Sequence, residues 1–377
     1  MKILILTNHL RGSDGWSKVS LDLTNELLSL GCEVLCLTSK KSSQNRIKEF
    51  PVLKEPQKYL VNPLVSFLTA FGVKKEIKKF SPDIIHFMVE PYCSLLPFLG
   101  VKKEKTFLTV HGTYSVIPNL FNNFLKKAIS KYLSRKYYKK IGKVVAVSNY
   151  TKDYLLKHYP ALKHKIRVIT NGVNLEKSKI VDLERKPENK IKKILFVGSV
   201  KQRKGVSEVI KALKYYYDNI SKDFIYNIVG DYSRNEDYFK ELSEKIKEFG
   251  LENNVSFEGK LTDEKLEEFY LNADLFLMPS LNINNNFEGF GLVFLEANAK
   301  GVPGIGAKNS GLQEAIQDGK TGYIVDPFDF KEMAQKINLI LNKKTINRKD
   351  CISWAKQNDI KIKARELFNL YSNDLQN

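Results

Sequence analysis

The chain has 377 residues, 43% apolar and 27% charged, with no low-complexity tract and no internal repeat. That excludes a disordered or solenoid protein and suits two α/β domains of ordinary size. The net charge of +19 is unevenly placed: residues 1–180 hold 31 Lys+Arg against 12 Asp+Glu, while residues 181–377 hold 30 of each.

In chain order, "MKILILTNHL" opens with an apolar run too short for a signal segment or a membrane span, so it reads as a buried strand over 2–7. Further strand patterns fall at 33–38, 83–88, 105–111, 143–148 and 166–170, with helical patterns between them. A polar, Pro-containing stretch then breaks the rhythm, and strands resume at 194–199, 226–231, 255–260, 275–280, 302–307 and 322–326. This alternation predicts an α/β protein of two doubly wound, Rossmann-like domains: residues 1–173, a linker at 174–193, residues 194–348, and a last helical segment at 349–377. Ligands of such sheets bind beyond the carboxyl ends of the strands, which singles out the loops at 198–204, 279–291 and 307–311. If the two domains face one another, the site is a cleft.

Cys32, Cys36, Cys93 and Cys351 lack metal-ligand spacing and are expected to be reduced structural thiols of a cytosolic protein. The loop "GSVKQRKG" (198–205) leaves a strand and enters a helix, with a glycine at each end and the cations Arg203 and Lys204 inside it. A helix start with unpaired N–H groups and two fixed cations suits a diphosphate, although basic residues at such a place also occur as plain solvated charge. In "NNFEGFGLVFLEANAKG" (285–301), the N–H groups of Phe290, Gly291 and Leu292 stand at a second helix start, flanked by Glu288 and Glu296. Carboxylates repel phosphate, so the two glutamates must reach past it and accept hydrogen bonds from hydroxyls at the two ends of the ligand. A nucleotide-sugar has sugar at both ends and phosphate in the middle.

"FEGFGLVFLEANAKGVPGIG" resembles the Glu-x7-Glu signature of the retaining GT-B glycosyltransferases of the family-4 type (glycosyl transferases group 1), with seven residues between Glu288 and Glu296. Other pieces resemble the same family in order: "TVHGT" (109–113), "VVAVSNYT" (144–151), "IRVITNGV" (166–173), "FVGSVKQRKG" (196–205), "MPS" (278–280) and "NSGLQEAIQDGKTGYIVDP" (309–327). The resemblance implies a GT-B fold in which 1–173 binds the acceptor, 194–348 binds the nucleotide-sugar donor and the last helix returns to the first domain. It implies that Glu296 binds the nucleotide ribose, Glu288 the donor sugar, the backbone at Phe290, Gly291 and Leu292 the sugar and distal phosphate, and Lys260–Leu261 the base. His111 matches the family histidine near the transferred sugar, and Lys204 the diphosphate lysine. Many members carry an arginine directly after the loop's first glycine, where this chain has Ser199, and Arg203 stands in the position of an "RKG" variant.

The loop "RGSDGWSK" resembles the family's glycine-rich first loop, with Gly12 and Gly15 opening it. A donor or acceptor contact at Gly15 and a plain strand–turn–helix link both account for its spacing. Of the remaining histidines, His86 alternates with strand residues and reads as structural, and His158 and His164 as surface. The expected reaction is departure of a nucleoside diphosphate from an anomeric carbon with retention, the charge being met by Arg203, Lys204 and backbone N–H groups. No Asp-x-Asp occurs, so neither a metal nor a cofactor is expected. The expected partners are a nucleotide-sugar donor and a glycan or lipid-linked acceptor for a cell-surface polysaccharide or glycolipid. A nucleotide-sugar 2-epimerase or a non-catalytic binding module are the alternative readings.

No acidic residue lies between Glu104 and Asp153, and "NLFNNFLKKAISKYLSRKYYKK" (119–140) places apolar residues at helical spacing among cations. With 58–80, it is open to two readings: a helix lying on an anionic membrane at the cytoplasmic face, or an ordinary helix whose apolar side packs on the sheet. Nucleic acid is not expected as a partner, because no matching motif accompanies the charge.

Overall fold

The computed structural model describes residues 1–12, 14–42, 46–112, 114–177, 190–233 and 235–376. Of the expected linker 174–193, residues 178–189 lie outside these, as do Ser13 of the first loop and Thr113 of the "TVHGT" motif. The chain forms two compact units, Met1–Gly172 with Ile360–Asn377, and Val173–Asp359.

The first unit carries strands β1 (Lys2–Leu6), β2 (Glu33–Leu37), β3 (Lys48–Phe50), β4 (Ile84–Phe87), β5 (Thr106–Val110), β6 (Lys143–Ala146) and β7 (Ile166–Val168). They form one parallel sheet in the order β3-β2-β1-β4-β5-β6-β7. β4 and β5 are buried at every residue, as parallel strands covered on both faces must be. β3 has no counterpart among the sequence patterns, because "KEF" is a short charged edge strand without an apolar run.

Helices α1 (Gly15–Ser29), α2 (Pro63–Phe80), α3 (Leu96–Leu99), α4 (Phe124–Lys140) and α5 (Asn149–His158) connect these strands. The second unit repeats the plan with β8 (Lys192–Val197), β9 (Phe224–Val229), β10 (Val255–Gly259), β11 (Leu275–Leu277), β12 (Gly304–Ala307) and β13 (Gly322–Val325), in the parallel order β10-β9-β8-β11-β12-β13. Its helices are α6 (Val206–Asn219), α7 (Glu236–Glu248), α8 (Asp263–Asn272), α9 (Leu292–Ala299), α10 (Leu312–Ala315), α11 (Phe330–Leu341) and α12 (Arg348–Gln357).

The segment 349–377 is two helices, separated at Asn358 and Asp359. The first of them, α12, stays in the second unit, and α13 (Ile360–Gln376) joins the first, packing along α1. Tyr371 of α13 reaches into the first sheet: its hydroxyl bonds His86 Nδ1, while His86 Nε2 bonds Thr109 Oγ1 at 2.8 Å, and its ring stands edge-on to Phe107 at 4.9 Å. Burial, reinforced by neighbouring His111, pushes His86 down to about 3, so it is a neutral, hydrogen-bonded core residue. All four cysteines are free and buried. No helix among the described residues is long and apolar enough to cross a membrane.

Candidate active site

In the second unit, β8 ends at Val197 and the chain passes Ser199, which is exposed, into a single 3-10 turn over Gln202–Lys204 before Gly205 starts α6. Gly205 has φ +75°, and a Cβ there would stand 2.3 Å from the Pro279 carbonyl oxygen, so only glycine lets the turn lie against the 279–281 loop. Leu281 N–H donates to the Arg203 carbonyl at 2.7 Å and fixes that contact. The start of α6 has no side-chain cap.

The 285–291 loop meets the same place. Lys204 Nζ donates to Glu288 Oε2 at 2.5 Å and Arg203 Nη1 to the same oxygen at 3.1 Å. Glu288 Oε1 has no protein partner among the described residues. The three side chains are 14% to 23% exposed, so the cluster is largely withdrawn from water. Burial by itself would raise the Glu288 carboxyl, but the two cations outweigh it and leave it at about 2. The Glu288 carboxylate is thus held ionised and neutralised by Arg203 and Lys204. Next in the chain, Gly291 (φ +84°) caps α9 without a side chain, and a Cβ there would stand 2.3 Å from Leu312 Cδ2. The Gly311 N–H donates to the Glu288 carbonyl at 2.8 Å, tying the 307–311 loop to this one. Phe290 is buried, and Leu292 is half-buried.

Glu296 lies one turn into α9, buried, with Oε2 accepting from the Tyr270 hydroxyl at 2.9 Å. Behind it Lys300, fully buried, pairs with Glu267 of α8. Lys260 is exposed and Leu261 half-buried just past the end of β10, on the edge strand of the sheet. The structure therefore brings Arg203, Lys204 and Glu288 into direct contact; Glu296, held by Tyr270, and Lys260, Leu261 and Ser199 stand apart from that cluster at the carboxyl edge of the same sheet.

In the first unit, His111 follows the last residue of β5 and is buried. Its N–H donates to Glu90 Oε1 at 3.1 Å. His111 Nε2 and Glu90 Oε2 are both buried and have no hydrogen-bond partner among the described residues. Burial lowers His111 to about 4, against the opposing pull of the Met88 backbone and Asp14, so the imidazole is neutral near pH 7. Burial raises the Glu90 carboxyl to about 7. Gly15 is exposed at the first position of α1, but this helix start is already occupied: Asp14 Oδ1 accepts from Trp16 N at 3.1 Å and Ser17 N at 3.0 Å. An anion arriving there would meet the Asp14 carboxylate first.

Glu90, Asp14 and Tyr270 escaped the sequence reading. Glu90 had a usable signal, an acidic residue just beyond a buried strand; Tyr270 had none, since its partner lies 26 residues away. Among the described residues no group of His, Cys, Asp and Glu is arranged to hold a metal ion.

Residues 178–358 match the family described as Glycosyl transferases group 1, and residues 13–177 match Glycosyltransferase Family 4. A protein of the cps region of Klebsiella pneumoniae is 29% identical over 72% of this chain and 72% of its own length. Mannosylfructose-phosphate synthase of Agrobacterium fabrum is 27% identical over 52% of this chain, which spans only 44% of that enzyme. In three dimensions, HepE of Anabaena in complex with UDP superposes with a TM-score of 0.79 at 19% identity, covering 99% of this chain and 100% of that one, which shows a common fold.

Proposed function

Since the chain belongs to the group 1 glycosyltransferases of the GT-B fold, we propose that it transfers a hexose-type sugar, with retention and without a metal, from a nucleotide diphosphate-sugar to a glycan or lipid-linked acceptor. The product would be a cell-surface polysaccharide or glycolipid, in keeping with the Klebsiella relative's place in a cps region. One observation carries this reading: Arg203 and Lys204 converge on one oxygen of Glu288 beside the glycine-capped, side-chain-free starts of α6 and α9. Arg203 then supplies the charge that Ser199 lacks.

In this reading the C1–O bond to the diphosphate breaks while the acceptor oxygen bonds C1 on the same face, and the acceptor's proton passes to the departing phosphate oxygen. Negative charge grows on that phosphate, so preorganised cations and N–H groups there lower the barrier. Glu288, held ionised by the same cations, turns Oε1 to a sugar hydroxyl. Tyr270 orients Glu296 toward the ribose. His111, with one ring nitrogen engaged by the Met88 backbone, meets a sugar hydroxyl with Nε2. The protein would work in the cytoplasm, peripheral on the inner membrane face, as the surplus of cations in residues 1–180 favours.

A thermal-shift screen of UDP-, GDP- and ADP-sugars, followed by NMR of the transferred anomer, tests the proposal. Stabilisation by one donor class and a product of unchanged anomeric configuration are expected. An inverted product, an epimer formed from the donor alone, or donor binding with neither transfer nor hydrolysis would each overturn it.

A further inference from the structure

Helices α2 and α4 each present several large apolar residues to solvent. On α2 the buried positions are Ser66, Ala70, Val73 and Phe80, while Leu64, Phe67, Leu68 and Phe71 are exposed. On α4 the buried side is Ser130, Ser134, Tyr137 and Tyr138, while Phe124, Leu125, Ile129 and Tyr132 are 36% to 85% exposed. This overturns packing on the sheet as the account of these apolar residues: a helix covering a core turns its large apolar side chains inward, and such a patch on the surface marks a contact. The two helices are bridged by α3, which packs on both, and the Phe67 ring stands edge-on to Phe98 of α3 at 5.7 Å.

Topology locates the patch. Every strand of this sheet is parallel, and α2 (from β3 to β4) and α4 (from β5 to β6) each run back against the strands. Their amino ends, where the exposed aromatic and aliphatic residues gather, therefore lie at the carboxyl edge of the sheet, the edge that carries His111. Charge identifies the partner. α4 bears Lys126, Lys127, Lys131, Arg135, Lys136, Lys139 and Lys140, with no acidic residue, and none of these seven makes an ion pair among the described residues.

We propose that the outward faces of α2 and α4 dock the first unit on an anionic lipid bilayer, with their amino ends immersed at headgroup depth, so that the His111 edge of the sheet is held at the membrane and the acceptor is drawn from it as a lipid-borne glycan. Apolar residues supply the immersion and the lysines the attraction, as in interfacial helices. The second half of the proposal rests on the glycosyl transfer inferred above; the docking half does not.

The test uses the full chain and vesicles of phosphatidylcholine alone or with about one third phosphatidylglycerol. Sedimentation should show binding to the anionic vesicles that weakens steeply with salt. F124S/L125S and F67S/L68S should each lower the partition coefficient about tenfold at every salt concentration. K126E/K127E/K131E should lower it at low salt and flatten the salt dependence. All seven positions are solvent-exposed, so melting temperature and donor-induced thermal shift should stay at wild-type values. Binding absent from anionic vesicles, or indifferent to both apolar pairs, overturns docking. So does a wild-type dimer in sedimentation velocity that these pairs dissociate, because a second copy would then cover the face. For the acceptor, the apolar variants should cut transfer onto a bilayer-embedded acceptor about tenfold and leave transfer onto a detached, water-soluble glycan unchanged. Equal loss on both acceptors overturns that half, and absence of transfer by wild type overturns the glycosyl-transfer reading while leaving the vesicle result legible.

Discussion

Replacing Glu288 by Gln keeps the side chain's shape and removes only its charge, leaving Arg203 and Lys204 uncompensated in a largely buried cluster. The carboxyl lies at about 2 against an ordinary 4.5, a shift worth about 3 kcal/mol by linkage, and its residual 18% exposure reduces this to about 1–3 kcal/mol. Because the folded value is depressed, this contribution is complete above the unfolded value near 4.5 and drains away as pH falls toward 2. At about 2–4 °C per kcal/mol for a unit of this size, Glu288→Gln should lower the melting temperature by about 2–12 °C at neutral pH, with a smaller gap near pH 3. A nucleoside diphosphate should close the gap from the other side, since its phosphates provide the negative charge that the glutamine lacks. Thermal denaturation with and without the nucleotide, at both pH values, reads all three effects, and turnover should fall by about two orders of magnitude. Equal melting temperatures for variant and wild type at pH 7, or a deficit that neither acid nor nucleotide alters, would refute the account of the cluster.

Lys204→Ala should weaken nucleoside diphosphate binding about tenfold or more in calorimetry, leaving Arg203 with Glu288. Tyr270→Phe should raise the donor KM several-fold with little change in kcat and shrink the penalty for a 2′-deoxyribose donor, an effect that mere loosening of α8 would not produce. Burial holds His86 and His111 neutral at about 3 and 4, below the unfolded value near 6.5. Between about 4.5 and 6.5 the unfolded chain binds two protons at these histidines against the one that Glu90, raised to about 7, holds in the folded chain, so stability measured by urea unfolding should decline as pH drops below 6.5. Gly291→Ala should cost about 1–3 kcal/mol by the same measurement, from the positive φ and the clash with Leu312.

Parallel strands were legible because burial on both faces makes them continuous apolar runs, and every such run in the sequence became a strand. The charged edge strand β3 was not, because an edge needs no apolar residue. The two loops around Arg203 and Glu288 were each visible as helix starts with glycines, but not their embrace, since 85 residues separate the partners and no local pattern encodes which cation meets which carboxylate. Spacing revealed an amphipathic α4 and misdirected its apolar side: periodicity says that one face differs from the other, and only packing says which faces inward. At α1 Asp14 is legible in the sequence as an N-cap residue, and its carboxylate occupies the helix start that an anion would need.

The grip of Tyr371 on His86 and Phe107 bears on biosynthesis. The second unit is one unbroken stretch of polypeptide, whereas the first draws its covering helix from residues made after the second is finished. During translation the later half completes its architecture before the earlier half can, and a chain halted before α13 emerges would display an amino-terminal sheet in which His86 keeps Thr109 but lacks the Tyr371 hydroxyl, with one naked flank. Supplying α13 as a separate peptide to such a truncated chain would mend that flank in trans.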